Sequence, residues 1–269
     1  MKFLEKRSAM VIVFITLIMP VQSYAGYNQL FNFYEQRVTL YCNEKEFDSA
    51  TSLATKVMEE NGKSYNKEQR ENAIIVASYV LDCVASEGLH KNVKQLLEIG
   101  ANPNISFYKD GRPPLLRVAI NACYTEPTAT INHYTVLEEL IKNGANLDRR
   151  DAYGDTVLHI LPYHEGNFNK YYSNISRVIR LLVKSGCNIN AIGQSGNPET
   201  PIMDAIFGDN VEAVKTFIDL GADLTIRSGN NNQTPLEYAR TLVGETSILM
   251  KDVYPNRRNI LDLVENASR

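Results

Sequence analysis

The chain has 269 residues, 44% apolar and 22% charged, with 28 Lys and Arg against 31 Asp and Glu, four Cys and no Trp. That length buries a core without disulfides, the apolar fraction excludes a disordered chain, and so few cysteines exclude a disulfide-dense small scaffold. A formal charge of −3 argues against a broad basic face and therefore against wholesale nucleic-acid binding.

Residues 1–25 have the order of a secretory signal peptide. Lys2, Lys6 and Arg7 precede an apolar run from Ala9 to Met19, Pro20 ends it, and Ser23-Tyr24-Ala25 is a small-x-small cleavage site. The run is too short for a spanning helix, which argues against an uncleaved anchor, and no Cys follows to carry a lipid. Removing residues 1–25 takes the formal charge from −3 to −5. The mature chain is therefore expected in the periplasm, with no stable membrane insertion and with secretion into the medium as the lesser alternative.

Residues 26–78 are expected to form an N-terminal helical cap. With the start of the next unit they read as three helices: Tyr27 to Cys42, Glu46 to Asn61 and Glu68 to Ser86. Phe47, Leu53, Val57 and Met58 form the core stripe of the second, and Gly62-Lys63-Ser64 separates it from the third. Export exposes the four thiols to an oxidising compartment. Cys42 and Cys83 fall near the C-terminal ends of helices that an up-down stack brings to the same side. They are the first candidates for a bridge; unpaired buried thiols are the alternative.

A repeat occupies residues 79–243. Gly100-Ala101-Asn102, Gly144-Ala145-Asn146, Gly186-Cys187-Asn188 and Gly221-Ala222-Asp223 each follow an apolar helix ending. Each leads to a second signature: Arg112-Pro113-Pro114-Leu115, Asp155-Thr156-Val157-Leu158-His159, Glu199-Thr200-Pro201-Ile202 and Gln233-Thr234-Pro235-Leu236. The physics is legible: Thr caps a helix, Pro occupies its first turn where no N–H is needed, and Gly supplies a left-handed end. Pro201 precedes Gly221 by 20 residues, as Val80 precedes Gly100, whereas Pro114 to Gly144 spans 30 and Val157 to Gly186 spans 29. Two repeats therefore carry insertions, near 123–132 and 162–173. Residues 244–269 read as a C-terminal cap, with Pro255 in the first turn of a helix bearing Ile260, Leu261, Leu263 and Val264.

These signatures resemble the ankyrin repeat, whose units run from T-P-L-H through two short helices to G-A-D/N. The resemblance covers one divergent unit, opening at Tyr79-Val80, and four clear ones. It implies an all-α solenoid of helix-turn-helix pairs with hairpin tips, active as a protein-binding module and monomeric on its own. It further implies that tips and inner helices form the recognition face. Here the tips offer Tyr108, Lys109, Asp110, Arg149, Arg150, Tyr153, Gln194, Arg227, Asn230 and Asn231; the inner helices offer Arg117, Asn121, Met203 and Glu237. The second insertion adds Tyr163, His164, Phe168, Tyr171 and Tyr172. Its aromatics read either as interface anchors or as a cover for neighbouring helices.

Catalytic and metal signals are weak. No GxSxG, P-loop or GxGxxG occurs, His159 and His164 do not form HExxH, and no CxxC or Cys/His cluster suggests zinc. His90 and His133 have no ligand-spaced companion, and His159 holds the T-P-L-H position, where the family's ring bonds backbone. The chain is thus expected to be no enzyme and to need no cofactor. Export combined with a protein-binding array resembles the immunity proteins that neutralise a toxic effector enzyme delivered by competitors, as in type VI secretion. A periplasmic scaffold or stress-protection factor and a secreted host-targeting effector are the alternatives.

Overall fold

The computed structural model describes residues 29–64, 66–107, 111–123, 127–163, 174–194, 198–245 and 254–269. The expected signal segment, and the tip residues Tyr108, Lys109 and Asp110, lie outside them. So does most of the second insertion, including His164, Phe168, Tyr171 and Tyr172.

Among the described residues the chain is all-helical: α1 (Gln29–Asn43), α2 (Phe47–Asn61), α3 (Lys67–Ser86), α4 (His90–Glu98), α5 (Pro114–Cys123), α6 (Pro127–Lys142), α7 (Val157–Tyr163), α8 (Ile175–Lys184), α9 (Pro201–Phe207), α10 (Val211–Asp219), α11 (Pro235–Glu245) and α12 (Arg257–Ala267). An isolated antiparallel bridge, Ser228 to Gln233, closes the last hairpin tip. The C-terminal part of α3 with α4, then α5 with α6, α7 with α8 and α9 with α10, form successive inner and outer pairs. A continuous core threads them, from Leu81 and Leu96 through Leu116, Leu137, Leu158 and Ile179 to Ile206 and Phe217, all buried. Each pair completes its burial only against its neighbours, the defining economy of a solenoid.

The ends extend this pattern. α1 packs on α3 and α2 on α4, so the N-terminal cap stacks as one more inner-outer pair without a hairpin tip. Asn92 ties its second helix down, its Nδ2 donating to Asp48 Oδ1 at 2.9 Å and Thr51 Oγ1 at 3.0 Å. At the other end α12 packs on both α11 and α10, occupying the outer position of the last repeat. Pro255 does not start that helix: Asn256 is its N-cap residue and Arg257 its first helical residue. The Asn256 amide donates to Asp209 Oδ2 at 3.0 Å, anchoring the helix start to the α9–α10 turn.

The repeated glycines act as the spacing predicts. Gly100, Gly144, Gly186 and Gly221 have φ between 83 and 110°. In each case the following amide reaches back to the last helical turn: Ala101 to Leu96, Ala145 to Leu140, Cys187 to Leu182 and Ala222 to Phe217, at 2.9–3.0 Å. This is the Schellman closure that a left-handed residue permits. Asn102 and Asn188 then turn the chain, each accepting at Oδ1 from the amide two residues on, Asn104 N and Asn190 N, at 2.9 Å, and those two residues reach the neighbouring repeat. Asn104 Oδ1 accepts from Asn146 N at 2.6 Å, and Asn190 Oδ1 from Asp223 N at 2.9 Å.

Capping at the inner helices is uneven. Thr234 and Glu237 form a reciprocal capping box, Thr234 N donating to Glu237 Oε2 at 3.0 Å and Glu237 N to Thr234 Oγ1 at 3.3 Å. Thr200 has N-cap backbone angles, yet its side chain makes no cap bond. The expected cap function therefore passes there to Pro201 at the first helical position and to backbone bonds alone.

The first expected insertion is mostly helix. α6 begins at Pro127, so residues 127–132 lengthen the outer helix rather than forming a loop. The Arg177 guanidinium of α8 stacks 3.7 Å from the centroid of the Tyr134 ring of α6, a cation–π contact joining the two outer helices.

The four cysteines carry free thiols. Cys123 and Cys187 are buried and separate from the other two. Cys42 and Cys83 are half-buried and unbonded, on the directly packed helices α1 and α3.

Candidate partner-binding surface

The tips are held side by side by backbone rather than by side chains alone. Asp151, buried, accepts from the amides of Tyr153 at 2.9 Å and Asp155 at 3.1 Å, which folds the 150–155 tip. Gln194 N then donates to Gly154 O at 3.2 Å, docking the next tip against it. Arg150 completes the joint, its Nη1 donating to Gly154 O at 2.5 Å and to Ile192 O at 3.0 Å. Farther along, Gly229 N donates to Pro198 O at 2.8 Å.

Most cations expected to face a partner are committed within the fold. Arg117 Nη1 lies 2.8 Å from Asp82 Oδ1, a carboxylate on the inner helix of the preceding repeat and 2% exposed. Arg112 pairs with Asp151, Nε to Oδ2, at 3.6 Å. Arg227 Nη2 lies 2.8 Å from Glu237 Oε2. Asn121 donates to Ser86 O at 3.0 Å. Met203 does not reach the surface: it is 1% exposed, and its sulfur accepts from Ser228 Oγ at 3.0 Å. The inner-helix position that the repeat pattern assigns to recognition is here a core position.

What remains outward is a patch across two interlocked tips. Tyr153 is 66% exposed and Ile192 45% exposed, with Arg149 and Gln194 exposed beside them. Asn230 and Asn231 are exposed on the last tip. Ile192 was missed in the sequence because it lies in a polar Asn- and Gly-rich stretch. A signal existed: it stands six residues after Gly186, where the neighbouring repeats carry Arg150 and Arg227. Of the second insertion, Tyr163 ends α7.

The polar groups beneath this patch are structural. His159 accepts at Nδ1 from Thr156 N at 3.2 Å, and its Nε2 contacts Ala191 O at 3.1 Å and Glu199 O at 3.2 Å. It thus fastens its own helix start to the next tip. Burial pushes its pKa down to about 4 against the help of those carbonyls, so the ring is neutral at pH 7. Glu199, buried, bonds with the side chains of Asp204 and Tyr238. Burial, then the Glu199 charge, holds the Asp204 carboxyl well above the usual aspartate range. Asp155 is raised as well, by burial and Asp151, with Arg150 opposing. His90 Nε2 lies 3.8 Å from Glu139 Oε2, and His133 Nε2 lies 3.0 Å from Ser86 O.

Among the described residues no group of three or more His, Cys, Asp or Glu is arranged to hold a metal ion, and no helix is long and apolar enough to cross a membrane.

No family model matches the chain. Two curated proteins are similar to it. A putative ankyrin repeat protein, FPV230, of Fowlpox virus (strain NVSL) is 31% identical over 172 residues, covering 55% of this chain and 84% of that protein. The phosphocholine transferase AnkX of Legionella pneumophila is 26% identical over 175 residues, covering 62% of this chain but 17% of that much longer protein.

Proposed function

The chain belongs to the ankyrin-repeat family, and on that premise we propose that it is an exported protein-binding module: a periplasmic immunity protein that covers the active cleft of a toxic effector enzyme. The observation that carries the reading is the exposed Tyr153–Ile192 pair on two tips locked together by Arg150. An aromatic and a β-branched side chain held out on a rigid backbone lose little entropy on binding, which is the character of an interface anchor. Of the nearby cations, Arg150 is committed to two backbone carbonyls and Arg227 to Glu237. Affinity then comes from shape and apolar burial, with Arg149 left to steer an acidic rim. The order of residues 1–25 supports the export part of this reading.

The test looks for a toxic enzyme encoded beside this gene and expresses it in the periplasm, with and without the full chain; absence of such a neighbour counts against the immunity reading. Restored growth is expected, and Tyr153→Ala with Ile192→Ala should abolish protection at an unchanged melting temperature, with affinity weakened roughly thirtyfold or more. Absence of rescue by the parent protein overturns the immunity reading. Recovery of the mature chain from culture medium would move it to a secreted effector.

A further inference from the structure

We propose that Cys42 and Cys83 form a disulfide when the protein meets a thiol-oxidising environment, clasping α1 covalently to the first repeat. The two residues lie on α1 and α3, which pack directly on each other. Cys42 is the strongest influence on the Cys83 thiol, and both are half-buried rather than sealed. Cys123 and Cys187 do not compete for either: Cys123 is enclosed in α5, and Cys187 Sγ points at Leu147 O, 3.8 Å away. The half-buried pair is therefore the one most open to an oxidant.

The fold has a use for such a clasp. Among the α1 residues whose side chains are described, Val38 is the fully buried one, with Tyr41 and Cys42 only partly covered. A covalent tie between α1 and α3 would hold this end of the array against fraying. The bond would close a loop of 40 intervening residues, long enough for a substantial restriction of the unfolded chain. It would also fix the helix carrying Asp82, whose carboxylate holds Arg117.

The chemistry balances with a small disulfide such as oxidised glutathione as the oxidant. One cysteine loses its proton and attacks the reagent, forming a mixed disulfide and releasing one thiol. The second cysteine then attacks the protein sulfur of that mixed disulfide and releases the second thiol. Two cysteine sulfurs are oxidised, the reagent's two sulfurs are reduced, and the two protons pass to the leaving thiolates. The neighbouring Cys42 thiol, then burial and the Asp82 charge, hold the Cys83 thiol strongly toward its protonated form. Closure should consequently be slow at neutral pH and faster in alkali.

The experiment incubates the full chain with oxidised glutathione, blocks remaining thiols and maps unreduced tryptic peptides by mass spectrometry. The expected product joins peptide 38–45 to peptide 71–91, leaves Cys123 and Cys187 unoxidised, and raises the melting temperature by several degrees, reversibly with dithiothreitol. Cys42→Ser and Cys83→Ser should each remove the link and the shift; circular dichroism of the reduced variants confirms that they fold. Both thiols recovered alkylated, or recovered only as separate glutathione adducts, overturns the proposal. The outcome is independent of partner binding, so it fails or succeeds separately from the immunity reading.

Discussion

Asp82 and Arg117 face each other across the inner helices of consecutive repeats, with the carboxylate oxygen 2.8 Å from the guanidinium nitrogen and the aspartate 2% exposed against 21% for the arginine. Arg117 is therefore more a counter-ion for a buried charge than a surface cation. Removing it takes away the cation that faces that buried charge, at a cost of about 3 kcal/mol. Arg117→Ala should lower the urea midpoint accordingly, whereas Arg149→Ala, on an exposed tip, should change stability by about 0.5 kcal/mol or less. Equal midpoints for the two variants would refute the assignment.

His159 predicts a loss of stability in acid. Its folded pKa of about 4 lies below the ordinary value of 6.5, so between those pH values the unfolded chain binds a proton that the folded chain refuses. Stability is fully present above pH 6.5 and is lost as pH falls toward 4. The two pKa values correspond to about 3 kcal/mol. Chemical denaturation of the parent and of His159→Gln across pH 4–7 checks this; the variant should show a shallower acid slope from a lower starting stability.

Asp204 works in the opposite direction. Its carboxyl keeps a proton in the folded state, beside Glu199, at pH values where the unfolded chain has released it. Stability from this group is present below the ordinary aspartate range and is lost as pH rises through the raised folded value. Asp204→Asn keeps a neutral side chain of the same shape. It should therefore remove that fall, and because the fall begins in the ordinary aspartate range and opposes the His159 contribution between pH 4 and 6.5, the variant should show a steeper acid slope there than the parent.

The repeat register was legible because each unit obeys a local rule that the residue itself enforces. Gly144 can close α6 with φ 83°, Pro201 can open α9, and no tertiary knowledge is needed to say so. The limits of the outer helices were less legible: residues 127–132 counted as extra length, but only packing decides that extra length continues a helix. The surface was least legible. Arg117, Met203 and Ile192 differ little in how well their positions suit a repeat, and what separates them is the neighbour each meets: a buried Asp82, the Ser228 hydroxyl, or solvent.

Two threonines at equivalent positions should respond differently. Thr234 takes part in a capping box with Glu237, and Thr234→Ala should cost about 1 kcal/mol. Thr200 is 1% exposed and its hydroxyl has no hydrogen-bond partner. Thr200→Val replaces a buried unsatisfied hydroxyl by a methyl of the same shape and should be neutral or stabilising. Thermal melts of the two variants side by side decide it; a comparable loss from both would mean that the Thr200 hydroxyl is satisfied in solution.

Gly154 offers the sharpest separation of backbone strain from surface geometry. Gly144 and Gly154 have nearly the same φ, 83° and 87°, so an alanine at either suffers a similar left-handed penalty of about 1 kcal/mol. Around Gly144 there is open space, but a Cβ on Gly154 would meet the Gln194 Cβ at 2.5 Å and its backbone at 3.1 Å. Gly154→Ala must therefore push apart the two tips that present Tyr153 and Ile192, straining the carbonyls that hold Arg150. The expected pattern is a melting temperature lowered by both variants, more by Gly154→Ala, and partner affinity lowered by Gly154→Ala alone. Retained affinity in a folded Gly154→Ala protein would show that the register of these two tips does not matter for recognition, and the Tyr153–Ile192 patch would lose its claim as the anchor.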